Sequence, residues 1–138
     1  MALARKPRDR ADHSTLTLEL EQSRQAPALA RAALCGFLRE RTDAATLETL
    51  TLLVSEVVSN AVLHSDAPPA SAILLCACVL DHGHVRVEVT DRGSGFTPVA
   101  RDPDRNGGYG LYLLDKQAAR WGVDRHGGTR VWFELASS

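Results

Sequence analysis

Three cysteines, Cys35, Cys76 and Cys78, are all that the 138 residues contain. An odd count without paired spacing excludes a disulfide framework as the basis of the fold. Cys76 and Cys78 lie two apart in an apolar run. In a strand both point to one face, as small buried hydrophobes. A zinc pair is the sharper reading of that spacing, but no second ligand pair stands at a usable distance along the chain. Reduced thiols, as in cytosolic proteins, are the expectation. Net charge is scarce as well, at a formal −1, so nothing draws the chain as a whole to nucleic acid or to an anionic membrane. The longest strongly apolar run, residues 72–80, is far too short to span a bilayer. Arg5, Lys6, Arg8 and Arg10 near the start are followed by no apolar stretch, unlike a secretory signal. Residues 1–13 read as a flexible basic tail, with docking onto an acidic partner as the alternative.

What is present suits one domain, residues 14–138. The length supports a hydrophobic core without disulfides or a structural metal. Hydrophobic residues at 44% and charged residues at 24% are ordinary for a globular chain. Residues 14–20 alternate, with Leu16, Leu18 and Leu20 on one face, and predict a half-buried strand. Pro27 opens a helix of about fifteen residues, by the preference of proline for a first turn; its expected buried stripe is Leu29, Ala33 and Phe37, with Leu34 and Leu38 beside them. After the turn at Thr42 and Asp43, a second helix is expected from Ala44 to His64, with Leu47, Leu50, Val54, Val57 and Ala61 inward. Pro68 and Pro69 lie beyond its end. An apolar strand over 70–80, a turn over 81–84 and the alternation of Val85, Val87 and Val89 predict an antiparallel hairpin. His82 and His84 sit in that turn and read as exposed turn residues rather than metal ligands. A polar loop over 96–106 precedes a third helix over 111–120, and two strands follow, over 121–125 and 129–135. The order β-α-α-β-β-α-β-β predicts an α+β fold: a two-layer α/β sandwich, with a mostly antiparallel sheet and three helices on one face.

Four groups of residues are equipped for chemistry. Glu56, Asn60 and His64 recur at every fourth position of the second helix and spread over only about 80° of its surface. A half-buried carboxylate and amide at adjacent turns need partners. A hydrated Mg²⁺ and a reacting hydroxyl fit, because Mg²⁺ takes few protein ligands, all oxygen, and a carboxylate can act as general base. A solvated polar edge of an amphipathic helix explains the same spacing. Asp91, Arg92, Gly93, Ser94 and Gly95 follow the valine strand directly. A carboxylate at a strand end can point into a pocket and accept from the exocyclic amine of adenine, and glycines allow close approach of a ligand; an ordinary Asp/Gly turn is the plain alternative. The run lacks the ligand ladder of a calcium loop and the third glycine of a dinucleotide fingerprint. Gly107, Gly108, Tyr109, Gly110 and Leu111 lead into the third helix, where free backbone N–H groups and the positive dipole end suit phosphate. No P-loop motif occurs. Finally, Gly127, Gly128 and Thr129 precede the last strand; the Thr hydroxyl can hold a water bridging to a base, and a hairpin turn explains the stretch equally well.

In that order the four groups resemble the ATP-binding (Bergerat) fold shared by gyrase, the heat-shock chaperone, histidine kinases and mismatch-repair ATPases, the GHKL superfamily. Residues 56–62, EVVSNAV, resemble its N box; Asp91 to Gly95, DRGSG, resemble its first glycine box; Gly108 to Leu111, GYGL, resemble its second. The stretches SEVVSNAVLH and GTRVWFEL look especially like the stand-alone anti-sigma-factor serine kinases of Gram-positive bacteria. The resemblance implies ATP and Mg²⁺ as cofactors and a role for each matching position. Asn60 would ligate Mg²⁺. Asp91 would bind the adenine amine with help from Thr129. Gly93 and Gly95 would shape the base pocket. Gly108, Gly110 and Leu111 would offer N–H groups to the phosphates. Glu56 would deprotonate a serine on a partner. The function implied is a cytoplasmic protein serine kinase that phosphorylates an anti-anti-sigma protein of the STAS type and sequesters a sigma factor. A non-catalytic ATP-binding module acting by sequestration is the alternative. A second copy of the chain is also among the implied partners; nucleic acid and membrane are not. No acceptor-histidine helix accompanies the motifs, and Arg101 and Arg105, in the expected lid over 97–107, are more simply read as solvated than as phosphate ligands.

Overall fold

The structure, a computed structural model, describes residues 14–64, 72–91, 109–125 and 128–136; for His64, His82 and residues 109–111 it describes the backbone alone. Five strands form one sheet: β1 (Thr15–Glu21), β2 (Ala72–Val79), β3 (Val85–Asp91), β4 (Arg120–Arg125) and β5 (Thr129–Leu135). Their spatial order is β1-β2-β3-β5-β4, and every neighbouring pair is antiparallel. A single 3₁₀ turn, Asp81–Gly83, joins β2 to β3, and Gly83 there takes φ 77°, a conformation other residues adopt only with strain. Three helices, α1 (Ala26–Leu38), α2 (Ala44–His64) and α3 (Tyr109–Gln117), make the second layer. The two-layer sandwich expected from the sequence is therefore the observed one.

Period-two burial decides which sheet face meets the helices. Ile73, Leu75, Ala77 and Val79 on β2, Val85, Val87 and Val89 on β3, and Val131 and Phe133 on β5 are all buried, while the residues between them are half exposed. That alternation is the strand geometry itself. α2 lies over β3 and β5 and against both other helices, burying Leu50, Leu53, Val54, Val57, Val58 and Ala61. By length and composition α2 is apolar enough to cross a membrane; here that apolar character is spent on the sheet and α1. Its start is fixed by Asp43, whose Oδ2 accepts the Thr46 backbone N–H at 3.0 Å and whose Oδ1 accepts the Thr46 hydroxyl at 2.6 Å. Such a cap contributes about 1 kcal/mol.

Three expectations need correction. The buried stripe of α1 is Ala26, Ala30, Leu34 and Leu38, while Leu29 is 52% exposed. Two apolar stripes one residue apart compete on this helix, and the one rich in alanine wins. Cys76 and Cys78 do share a face, but it is the outer one, and both are half exposed. The third helix begins two residues before the expected start and ends at Gln117. Arg120 belongs instead to β4, in register with Glu134.

Candidate functional site

The helix-facing side of the sheet is apolar until its last row. There β3 ends in Asp91 and β5 begins with Thr129, and the two are cross-strand partners. Each is 1% exposed. The alternation that turns Val85, Val87 and Val89 inward also turns Asp91 inward, and the one that buries Val131 and Phe133 buries Thr129. Carboxylates are rarely buried so completely unless paired or bound. Gly128, immediately before Thr129, takes φ 151°, which favours glycine over any residue with a side chain. Part of the glycine signal before the last strand therefore has a backbone cause.

α2, which covers β3 and β5, carries Asn60 at 8% exposure and Glu56 one turn earlier at intermediate exposure. A buried amide oxygen with a solvent-accessible carboxylate one turn away is a donor set for a hard cation completed by other oxygens. Among the described residues no group of three or more His, Cys, Asp and Glu could hold a metal by themselves, so a cation at Asn60 would take its remaining ligands from phosphate and water. Beside Glu56, the Ser55 hydroxyl accepts from Arg31 Nη1 of α1 at 2.8 Å, which ties the two helices together at this point. Gly110 and Leu111 lie in the first turn of α3, which carries no acidic residue. Their N–H groups are among those a helix leaves without intrahelical partners. Gly93, Gly95 and Gly108 lie outside the described residues, as do the lid expected over 97–107 and both of its arginines.

The opposite face of the sheet holds a charged network that the sequence motifs do not announce. Three rows of register partners cross β3, β5 and β4: Arg86, Glu134 and Arg120; Glu88, Trp132 and Gly122; Thr90, Arg130 and Asp124. Arg86 donates to Glu88 and to Glu134, both at 2.8 Å, and Arg120 reaches Glu134 at 3.0 Å. Arg130 pairs with Asp124 and lies 3.7 Å from Glu88. The charges thus form one continuous chain across three strands. At its centre the Trp132 ring sits under the guanidinium of Arg86, 4.2 Å away, with that of Arg120 at 5.8 Å. Gly122 makes room for the indole: a Cβ there would lie 2.8 Å from it. The hydrogen bond from Arg120 holds Glu134 below the usual carboxylate range, against the opposing effect of burial and with further help from Arg86. Burial works against the charge on Arg86, but its bonds to Glu88 and Glu134 outweigh that and raise its pKa. The bond to Asp124 raises that of Arg130. Alternating charges at the outward positions of three strands were the available signal. A recess of about 250 Å³, lined by Thr90, Asp124, Gly128, Thr129 and Arg130, opens where this face meets the Thr129 row.

Comparison with known proteins agrees with this fold. The uncharacterized protein SCO4941 of Streptomyces coelicolor is 34% identical over 81 residues, 56% of this chain and 75% of that one. Among solved structures, the RsbU and RsbW domains of Rv1364c from Mycobacterium tuberculosis superpose with a TM-score of 0.74 at 24% identity, over 96% of this chain and 34% of that one. The blue-light activated histidine kinase of Erythrobacter litoralis EL346 does so at 0.54 and 28% identity, over 70% of this chain and 32% of that one. The chain thus spans about a third of each of those solved chains, and at 24% identity the first shares the fold alone. The family described as histidine kinase-like ATPase domain matches residues 16–135, nearly the whole described fold, and the chain belongs to it.

Proposed function

We propose that this chain is a protein serine kinase that binds ATP through the Asp91 and Thr129 row and acts as an anti-sigma factor, phosphorylating an anti-anti-sigma partner and sequestering a sigma factor. One observation carries the nucleotide site: a carboxylate and a hydroxyl, each 1% exposed, are paired at the ends of adjacent strands on the helix-facing side of the sheet, under the helix that bears Asn60. Membership of an ATPase family makes ATP the ligand. The regulatory part follows the RsbW domain among the fold neighbours and the resemblance of the N box to stand-alone kinases.

The residues divide the work by their chemistry. Asp91 accepts a hydrogen bond from the exocyclic amine of adenine, and the Thr129 hydroxyl donates to or accepts from a ring nitrogen or a bridging water. The first-turn N–H groups of α3 meet the phosphates, favoured by the helix dipole. Asn60 offers its amide oxygen to Mg²⁺. Bound Mg²⁺ would neutralise charge on the phosphate oxygens, the usual role of the metal in phosphoryl transfer. Glu56 takes the proton from a serine hydroxyl of the partner. The serine oxygen bonds to the γ-phosphorus while the bond to the β-phosphate oxygen breaks, and ADP leaves. Positioning and charge neutralisation carry most of this reaction.

Labelled ATP and candidate anti-anti-sigma proteins test the kinase assignment. Wild type should transfer phosphate to serine, and Glu56→Ala should slow transfer about 10²- to 10⁴-fold, the range for losing a general base, with ATP affinity retained. Transfer by Glu56→Ala at the wild-type rate removes Glu56 from that role. Full inhibition of a sigma factor by wild type without any transfer supports the sequestering module instead.

A further inference from the structure

The row of Asp91 and Thr129 lies at the very end of the ladder. Among the described residues, β3 ends at Asp91, β4 ends at Arg125 and β5 starts at Thr129, so this is the last row that the three strands share. The preceding residue, Gly128, contributes no side chain and takes φ 151°. The terminal row of a sheet opens more readily than a central one. Within the row, Asp91 pairs with Ile73 of β2 and Thr129 with Arg125 of β4; a side chain that braces it from the outer face belongs to the row beneath, Thr90, Arg130 and Asp124.

Arg130 is placed to do this. It follows Thr129 in the chain and points to the opposite face. Its guanidinium donates to Asp124 on β4 through two nitrogens, Nε at 3.2 Å and Nη2, and its Nη1 lies 3.7 Å from Glu88 Oε1 on β3. One side chain therefore ties all three strands together one residue from the buried pair. The other ion pairs of this face lie farther away, at Arg86, Glu134 and Arg120, and the indole of Trp132 already fills the space between the far and near rows. An exposed ion pair adds little to global stability. Its effect on a local geometry is another matter, because a small displacement of a hydrogen-bonding group costs affinity for the ligand that it reads.

We propose that Arg130 is a positioning residue for base recognition: by bridging Asp124 and Glu88 it holds the end of β5 against β3, so that Asp91 and Thr129 present a fixed pair of groups to the purine. This rests on the reading of Asp91 and Thr129 as the adenine site. Loosening the clamp lets the pair move apart, and selectivity for the adenine amine falls before the fold does.

The test compares ATP with inosine triphosphate, whose ring carries an oxo group where adenine carries the amine. Both are titrated by calorimetry with Mg²⁺ into the full chain, as wild type, Arg130→Gln, Asp124→Asn and Arg120→Gln. Arg120 sits in the far row, so Arg120→Gln removes an ion pair of the same network away from the site. Wild type should prefer ATP. Arg130→Gln and Asp124→Asn should each cut that preference about three- to fivefold, the size of effect that one exposed ion pair can carry, with Arg120→Gln leaving it unchanged. If Arg130→Gln and Asp124→Asn keep the wild-type preference, the clamp is not a determinant of base recognition. If Arg120→Gln lowers the preference as much as Arg130→Gln, the effect is general loosening of the sheet and the proposal fails. A wild type that binds both nucleotides equally overturns the adenine site itself, a result separable from the first two.

Discussion

The two faces of one sheet use polar residues in opposite ways. On the face toward the helices, β2, β3 and β5 present Ile, Leu, Ala, Val and Phe in every row but the last, where Asp91 and Thr129 appear. On the outer face of β3, β5 and β4, six charged side chains pair in one chain around Trp132. A buried polar group carries a desolvation cost that selection tolerates only for a return, whereas half-exposed ion pairs cost and contribute little. The exception on the inner face therefore points to a ligand, and the abundance on the outer face points to register and strand alignment. On the proposed reading, the same residue type, a carboxylate, would bind at Asp91 and brace at Glu134 for that reason.

Substitutions on each face sharpen this contrast. The largest loss of stability should come from the inner face away from the site. Phe133 is fully buried, and Phe133→Ala should lower unfolding free energy by about 3–5 kcal/mol, read by chemical denaturation; a loss under 1 kcal/mol would mean that the core is not assembled as described. On the outer face, Gly122→Ala places a methyl group against the Trp132 indole. The indole lies on an open face and can yield, so the cost should be about 1 kcal/mol, the low end for overpacking, measured in the same way. A neutral Gly122→Ala would show that the ring is not seated on β4. The smallest effect concerns pH. Glu134 has a folded-state pKa below its ordinary value, so its ionised form stabilises the fold above that ordinary value, and the contribution fades as the pH falls through the lowered one. Wild type and Glu134→Gln should therefore differ by about 1 kcal/mol near neutrality, and the difference should shrink in acid, from the ordinary glutamate range downward. A difference that grows toward low pH would contradict the pairing with Arg120 and Arg86.

Much of this contrast was legible in the chain. Strand alternation at Val85, Val87 and Val89 gave the inward face of β3, and it also predicts that Asp91, two residues on, points inward. Pairing with Thr129 follows only from the family resemblance and not from periodicity, because the polar loop and third helix separate the two in sequence and the sheet order alone brings β5 beside β3. The limits of α2, Ala44–His64, followed from its apolar period and the prolines after it. On α1 the buried stripe lies one residue from the expected one: Leu29 is larger than Ala26 or Ala30, yet the small side chains are the buried ones, a packing preference that hydrophobicity alone does not encode. Arg120 was assigned to a helix because nothing local separates a last helical turn from a first strand residue; its partner Glu134, fourteen positions away, decides the matter. Cys76 and Cys78 were expected inside because cysteine is usually buried, but period two places them opposite Ala77, and Ala77 takes the core side.

The central claim is that the buried pair at the end of β3 and β5 reads the base of a nucleotide. Calorimetric titration of ATP with Mg²⁺ into wild type and Asp91→Asn, run side by side on folded protein, tests it most directly. The account predicts binding by wild type and a loss of about 1.5–3 kcal/mol in the variant, the worth of a hydrogen bond to a charged acceptor. Equal affinity for the two proteins, or no binding by folded wild type, would contradict it.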